Sequence, residues 1–324
     1  RGTFTVEGIR EAIAGVRIPV IAEDPLSFPE AIAHASLLLA DADVRSALKA
    51  ERVIVIGRTT LSRSINSFIA EANEQIVIDP RLATVDKKRS GDSKFTSLPF
   101  FTDAFSGEYF DQWREASKAA HAVLHEFNQF TEQIVAQKIA AELPNNSALF
   151  VGSSRPIRDI EGFAMPRTGI HTFANRGLAG IDGNISTAFG IAEKFEKSFA
   201  ILGDITFMHD LSALVAPTKA NLTIFIIDNN GGGIFSTLPQ AGVEGFEEIF
   251  GTPQNANLEK IISGFDIPVV KIKSESDLKA AIALHATGLQ IVIVEVPSRA
   301  DMAQGIKEMY QSVSSAVRIG LNLA

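Results

Sequence analysis

Short apolar runs alternate with helix-like patterns along the whole chain. In the first part, compact runs rich in β-branched residues predict strands at residues 19–22, 52–56 and 75–78. In the second part, similar runs predict strands at residues 148–151, 199–202, 223–227, 269–272 and 291–296. Amphipathic patterns predict helices at residues 5–15, 28–40, 64–73, 111–143 and 302–317. This alternation is typical of an α/β protein, and we predict two doubly wound parallel sheets.

A polar stretch without clear periodicity, residues 80–107, separates the two groups of strands. We therefore predict a Rossmann-like domain over residues 1–107 and a second domain over residues 108–324. The chain starts at Arg1 and reaches a helical pattern before any strand. Because an α/β domain is expected to place a strand before such a helix, we expect that the first domain lacks its first strand and that an N-terminal part is missing.

Composition narrows the class of protein. Apolar residues make up 46% of the chain and charged residues 21%, which is typical of a globular protein, and no apolar run approaches the ~18 residues of a membrane helix. The absence of cysteine excludes disulfides, thiolate metal sites and a cysteine nucleophile. A net charge of −8 argues against a nucleic-acid partner. We expect a cytoplasmic protein that binds anions through a few placed arginines and backbone N–H groups.

Polar residues follow two of the predicted strands in the second domain. Gly203 and Asp204 follow the strand at 199–202, and Asn229 with a glycine triplet follows the strand at 223–227. In doubly wound sheets, ligands bind beyond the carboxyl ends of the strands. Mg²⁺ prefers oxygen ligands, so we predict a cation site made by Asp204, Asn229 and the carbonyl of Gly231, with a phosphate favoured at the helix after Asp204. The alternative is that these are ordinary Gly/Asp/Asn turns, which are common after buried strands.

This pair of motifs resembles the thiamine diphosphate signature, a GDG-type triplet followed some two dozen residues later by paired asparagines. The chain departs from the common form at Ile205 and Asp228. Both departures are similar to variants in the 2-succinyl-5-enolpyruvyl-6-hydroxy-3-cyclohexene-1-carboxylate synthases (SEPHCHC synthases) of menaquinone biosynthesis. Further segments that resemble this family are residues 175–183, 230–236, 250–253, 23–27, and 152–154 with Arg158.

The resemblance implies thiamine diphosphate and Mg²⁺ or Mn²⁺ as cofactors. It implies decarboxylation of 2-oxoglutarate and conjugate addition of the resulting unit to isochorismate. A homodimer or homotetramer is expected. Family members also use a glutamate on a separate N-terminal pyrimidine-binding domain, for which residues 1–324 offer no replacement. We therefore expect the chain alone to be inactive.

The resemblance also assigns roles to single residues. Asp204, Asn229 and Gly231 match the residues that hold the cation, next to Gly203. Residues that match cofactor-pocket positions, or that we expect to line the pocket, are Ser154, Ile181, Ile234, Phe235 and Leu238. Arginines that match substrate-carboxylate positions are Arg158, Arg176 and, in the first domain, Arg63, with Arg155 left open as a stand-in for Arg158.

Each role has a plain structural alternative. Apart from the resemblance, Ile181 is better explained as an ordinary buried isoleucine, Phe235 could as easily be a core residue, and a lone arginine is usually a solvated surface charge. His209 and Asp210 follow the metal motif, but adjacent helix residues point in different directions, so we do not predict an acid–base pair.

Rival functions stay open at this point. Another thiamine diphosphate enzyme, such as an acetohydroxyacid synthase or a 2-oxoacid decarboxylase, would share the metal pair but not residues 175–183. A non-catalytic nucleotide-binding module is compatible with the alternating first domain, although no G-x-G-x-x-G follows its strands. A protein that has kept the fold and lost the site is the third alternative.

Overall fold

The computed structural model describes residues 4–59, 61–82, 90–101, 107–284 and 287–323. The chain forms two compact units. The first comprises Arg1–Glu23, Glu30–Glu126 and Tyr310–Ala324, and the second comprises Asp24–Pro29 and Phe127–Met309. None of the helices in the described part of the chain is long and apolar enough to span a membrane.

This division differs from the predicted boundary at residues 107 and 108. The structure assigns the helix Gly107–Glu126 to the first unit. Its Trp113 is buried edge-on against Phe68, with ring centroids 5.3 Å apart, and its Tyr109 hydroxyl donates to the Leu48 carbonyl at 2.7 Å. The end of the polar stretch therefore does not mark the end of the first core.

The first unit contains a three-stranded parallel sheet in the order β1-β2-β3. Its strands are β1 (Arg52–Ile56), β2 (Glu74–Ile78) and β3 (Ser93–Phe95). Its helices are α1 (Val6–Ala12), α2 (Ala35–Leu38), α3 (Ala42–Ala47), α4 (Arg63–Glu71) and α5 (Gly107–Glu126). The predicted strands at 52–56 and 75–78 and the helix at 64–73 are confirmed within a residue or two.

Two predictions for this unit are wrong. Residues 19–22 do not form a strand, although Val20 accepts a backbone hydrogen bond from Ile32 at 2.8 Å. The helix predicted at 28–40 is reduced to the single turn α2, because His34 directly before it has a left-handed backbone (φ 61°). The pattern also missed β3, which is short and partly exposed and therefore carries no apolar run.

The second unit contains a six-stranded parallel sheet in the order β5-β4-β6-β7-β9-β8. The strands are β4 (Ser147–Val151), β5 (Ile170–Phe173), β6 (Ser198–Gly203), β7 (Leu222–Asp228), β8 (Val269–Ile272) and β9 (Leu289–Glu295). All five predicted strands are present. Only β5 was missed, because His171 and Thr172 interrupt its apolar run.

The α-helices of this unit flank the sheet strands in sequence. They are α6 (Glu132–Glu142), α7 (Arg155–Phe163), α8 (Asn184–Ala192), α9 (Asp204–His209), α10 (Leu258–Ser263), α11 (Glu275–Ala283) and the first half of α12 (Arg299–Gly320), whose residues from Tyr310 on belong to the first unit. Three 3-10 turns, Pro25–Ser27, Leu211–Val215 and Gly233–Thr237, and a π turn, Glu247–Gly251, complete it. The single helix predicted at 111–143 is two helices, α5 and α6, because Thr131 caps a new helix with its hydroxyl.

The sheet of the second unit positions the candidate site. Strands β6 and β7 are neighbours, with Gly203 paired to Ile227 at their ends. Their middle residues are fully buried, as expected for strands covered on both faces. Because parallel strands end at the same edge of a sheet, the residues that follow β6 and β7 come together there.

Candidate functional site

The residues after β6 and β7 meet at one backbone N–H group. The Gly231 N–H donates to Asp204 Oδ2 at 2.7 Å and to Asn229 Oδ1 at 3.1 Å. The carboxylate and the amide oxygen are therefore no farther apart than the sum of these distances. The Gly231 carbonyl, the third predicted ligand, accepts from the Gly233 N–H at 2.9 Å and keeps a second lone pair.

Asp204 lies in an environment that suits a bound cation. Burial raises the pKa of Asp204 to about 7, against hydrogen bonds from the Ile205 and Gly231 N–H groups, and the charge of Asp228 raises it further. A buried carboxylate of this kind is stabilised in its ionised form by a nearby positive charge. The donor set of carboxylate, amide and carbonyl oxygens fits a hard divalent ion.

The glycine triplet allows a very close approach between two loops. The Gly232 N–H donates to the Gly251 carbonyl at 2.7 Å. A Cβ on Gly231, where φ is +136°, would lie 2.3 Å from that same carbonyl oxygen, and a Cβ on Gly232 would lie 2.3 Å from the Phe250 carbonyl oxygen. No larger residue fits either position without moving the backbone. The two sequence motifs at 230–236 and 250–253 are thus one packed unit.

An arginine from the last helix holds this pair of loops together. Arg299 Nε donates to the Asn230 carbonyl at 3.0 Å, and its Nη2 donates to Glu247 Oε2 at 2.6 Å. Asn230 and Asn255 exchange hydrogen bonds across the same loops. The sequence pattern offers no signal for Arg299, which lies 69 residues from Asn230 along the chain, or for Glu247, which lies just outside the motif at 250–253.

Hydrogen bonds and ion pairs that were not predicted from the sequence connect Asn229 to Asp159. Asn229 Nδ2 donates to Glu132 Oε1, and the other carboxylate oxygen of Glu132 lies 3.5 Å from Arg155 Nε. Arg155 Nη2 in turn donates to Asp159, which is 2% exposed. Glu132 begins helix α6 next to its cap Thr131. That Thr-Glu pair is a helix-start signal, but the predicted long helix concealed it.

The predicted substrate arginines Arg158 and Arg176 lie near each other in the second unit. Burial lowers the pKa of Arg158, and the positive charges of Arg155 and Arg176 lower it further. Arg158 Nη1 donates to the Ser154 carbonyl at 2.6 Å, while Arg155 is bound to buried carboxylates. Ser154 itself has a left-handed backbone (φ 73°) at the start of α7, directly beyond β4.

The other predicted pocket residues occupy loops of the second unit. Ile181 is half-buried in the segment before α8, and Ile234 and Leu238 are half-buried around the 3-10 turn Gly233–Thr237. Phe235 is 36% exposed and packs its ring 5.6 Å from Phe250, so it is not a core residue. Arg63 begins helix α4 of the first unit.

His209 and Asp210 do not form an acid–base pair. His209 Nδ1 lies 3.0 Å from an oxygen of Asp182, and both side chains are more than half exposed. Asp210 is buried and accepts from the backbone N–H of Ser186 at 3.0 Å, in the first turn of α8. Its role is to cap that helix. Among the described residues, no group of three His, Cys, Asp or Glu side chains could hold a metal ion, so a site here depends on amide and carbonyl oxygens.

Two family descriptions match successive parts of the chain. Residues 18–151 match the family described as "Middle domain of thiamine pyrophosphate". Residues 160–296 match the family described as "Thiamine pyrophosphate enzyme, C-terminal TPP binding domain". The second match contains both strand ends of the candidate site.

Two curated relatives share the name 2-succinyl-5-enolpyruvyl-6-hydroxy-3-cyclohexene-1-carboxylate synthase. The chain is 33% identical to that of Thermobifida fusca over 302 residues, which cover 89% of this chain and 54% of the relative. It is 31% identical to that of Oceanobacillus iheyensis, over 93% of this chain and 56% of the relative. The chain therefore spans about half the length of the curated relatives it matches.

A solved structure shows a similar fold. It belongs to a protein from Mycobacterium smegmatis that is provisionally assigned to the thiamin diphosphate-dependent enzymes. The TM-score is 0.53 at 17% sequence identity, over 79% of this chain and 51% of that one. At this identity the likeness concerns the fold alone.

Proposed function

We propose that this chain, which belongs to the thiamine diphosphate-dependent enzymes and comprises their middle and C-terminal domains, is part of a SEPHCHC synthase of menaquinone biosynthesis. The observation that carries the proposal is the meeting of Asp204 and Asn229 at one N–H group between neighbouring strand ends. The family matches and the shared name of the curated relatives support the same assignment.

In this proposal, Asp204, Asn229 and the Gly231 carbonyl hold Mg²⁺ or Mn²⁺ against the diphosphate of the cofactor. The raised pKa of Asp204 supports it, because a cation would stabilise the ionised carboxylate that burial disfavours. Ser154, Ile181, Ile234, Phe235 and Leu238 would line the cofactor pocket, next to Gly203. The half-exposed state of these hydrophobic loops is compatible with a ligand-facing surface.

Arg158 and Arg176 are proposed to bind substrate carboxylates, and Arg63 of the first unit to contribute a further positive charge. Burial lowers the pKa of Arg158, and the positive charges of Arg155 and Arg176 lower it further, so its charged form carries a cost. An anionic ligand would relieve it, and 2-oxoglutarate and isochorismate each carry two carboxylates. Arginine suits the role because it binds a carboxylate with two parallel hydrogen bonds. Arg155, already engaged with Glu132 and Asp159, is less suited.

When bound, thiamine diphosphate supplies a carbanion for attack on the keto carbon and an acceptor for the electrons released with carbon dioxide. The protein residues orient the two anionic substrates and exclude water, which lowers the entropic part of the barrier. The overall reaction in this proposal is the decarboxylation of 2-oxoglutarate and conjugate addition to isochorismate. The enzyme is proposed to work in the cytoplasm as a homodimer or homotetramer.

Activity is proposed to need a pyrimidine-binding domain beyond the residues of this chain. The relatives are about twice as long as the part matched here, which leaves room for such a domain in them. We expect the 324-residue chain alone to bind the cofactor but to release no carbon dioxide from 2-oxoglutarate.

Calorimetry tests the proposal directly. Thiamine diphosphate with Mg²⁺ is expected to bind the chain, and NADH is expected not to bind. Binding of NADH instead would contradict the assignment and favour a nucleotide-binding module. For the whole enzyme, a panel of acceptors separates the SEPHCHC synthase from other thiamine diphosphate enzymes, because only the former requires isochorismate.

A further inference from the structure

We propose that Glu132 is a positioning residue that orients the amide of Asn229 toward the cation site. The inference rests on the proposed function, because it concerns the same site. Glu132 lies on α6, which is 97 residues away from Asn229 in sequence. Its side chain is 4% exposed, and its Oε1 accepts a hydrogen bond from Asn229 Nδ2.

The chemistry of the two groups explains the orientation. An asparagine amide has a donor end and an acceptor end, and it can turn to present either one. A carboxylate oxygen accepts hydrogen bonds, and Glu132 Oε1 accepts one from the NH₂ end of Asn229. The amide oxygen is then left on the opposite side, where it lies 3.1 Å from the Gly231 N–H beside Asp204. With a neutral partner able to donate, the amide could turn its NH₂ group toward the cation.

Glu132 is itself held in place by its helix and by an arginine, and a glycine leaves room for its contact with Asn229. It is the first residue of α6, where the helix dipole favours a negative charge and Thr131 provides the cap. Arg155 Nε lies 3.5 Å from its second oxygen, and Arg155 is fixed by Asp159. Gly233 leaves the space for the contact, since a Cβ there would lie 2.5 Å from Asn229 Nδ2 and 3.4 Å from Glu132 Oε1.

The test measures Mn²⁺ affinity rather than activity. Free Mn²⁺ is quantified by electron paramagnetic resonance in the presence of thiamine diphosphate, with the 324-residue chain. Glu132→Gln is expected to weaken Mn²⁺ binding by ~10- to 100-fold, the usual effect of losing a group that orients a metal ligand. The matched control is Glu142→Gln at the other end of the same helix, where the carboxylate is 40% exposed and lies 3.5 Å from Lys279. It is expected to leave the affinity unchanged.

A second background separates orientation from a general loss of negative charge. In Asn229→Asp, residue 229 has no NH₂ group to orient and faces Glu132 with a like charge. Adding Glu132→Gln to Asn229→Asp is therefore expected to tighten Mn²⁺ binding, the opposite of its effect beside Asn229. A role through overall charge or through folding would weaken binding in both backgrounds.

Each outcome bears on the proposal. Equal affinities for Glu132→Gln and Glu142→Gln, or weakening by Glu132→Gln in both backgrounds, would overturn the role of Glu132 and leave the proposed function intact. Failure of the unsubstituted chain to bind Mn²⁺ with thiamine diphosphate would overturn both. If Glu132→Gln does not fold, Glu132→Asp keeps the charge but withdraws it by one methylene, and undiminished affinity in that variant would also count against the proposal.

Discussion

Two buried aspartates in the second unit solve the same electrostatic problem in different ways. Asp159 is 2% exposed and Asp204 is 4% exposed, and burial raises the pKa of each. Asp159 has an arginine of the same chain beside it, since Arg155 Nη2 donates to its carboxylate. Asp204 accepts hydrogen bonds from two backbone N–H groups, those of Ile205 and Gly231, and the charges of Asp228 and Glu132, which raise its pKa further, are negative.

This difference distinguishes a carboxylate built for the fold from one suited to a ligand. At Asp159 the positive charge is permanent, so the pair can be complete without any ligand. At Asp204 the charges of Asp228 and Glu132 are negative, so a bound cation would stabilise the ionised carboxylate. A strongly perturbed pKa alone does not tell the two apart, because structural ion pairs also shift pKa values. The identity of the nearest partner does.

The largest expected effect follows from removing the arginine at the structural aspartate. Arg155→Met would leave Asp159 and Glu132 buried without this cationic partner. Breaking a buried ion pair in this way costs about 3–5 kcal/mol. We expect the free energy of unfolding to fall by that amount in urea denaturation followed by circular dichroism. The control is Lys138→Met, which breaks the exposed pair with Glu275 and is expected to cost less than about 1 kcal/mol. Equal losses of unfolding free energy in the two variants would show that the buried ion pair contributes no more to stability than the exposed one.

The next effect concerns the other aspartate. Asp204→Asn removes the only carboxylate of the proposed ligand set, and we expect Mn²⁺ binding with thiamine diphosphate to weaken by at least ~100-fold, the upper end of what losing a supporting contact costs. Without ligand, the same variant is expected to be no less stable than the unsubstituted chain, because it no longer buries a group that prefers to be charged. A lower melting temperature without ligand, with unchanged affinity, would place Asp204 with the structural aspartates.

The pH dependence gives a smaller effect with a defined sign. The pKa of Asp204 in the folded chain is raised to about 7 from an ordinary value of 3.8. Its contribution to stability is therefore full below the ordinary pKa and is lost as the pH rises through about 7. Cation binding needs the ionised form, so Mn²⁺ affinity should fall up to about tenfold per pH unit below 7. Free Mn²⁺ measured between about pH 5.5 and 8.5 checks this, and a flat profile would contradict the raised pKa.

The sheet of the second unit could be predicted almost completely from sequence. Its strands are continuous apolar runs because both faces are covered, and such runs stand out from the helices around them. Strand β5 escaped because His171 and Thr172 make it look polar. The break before Glu132 escaped because the helical pattern continues across it, and only the cap at Thr131 marks the new start.

The candidate site could be predicted only where its residues follow strand ends. Asp204, Asn229 and Gly231 directly follow neighbouring parallel strands, so the sheet topology alone brings them together. Glu132, Arg155 and Arg299 reach the same place from separate helices, and no spacing in the sequence encodes that meeting. The sequence left open whether Arg155 or Arg158 binds a substrate carboxylate. The two arginines differ mainly in the carboxylates around them, and such contacts cannot be read from the sequence.

The smallest expected effect comes from a third aspartate that is exposed. Asp182 is 79% exposed and lies 3.0 Å from His209 Nδ1. Water already solvates both groups, so Asp182→Asn is expected to change the free energy of unfolding of the unliganded chain by less than about 1 kcal/mol. The measurement is the same urea denaturation. A loss comparable to that of Arg155→Met would mean that burial is not what separates these aspartates, and the contrast between Asp159 and Asp204 would then need another cause.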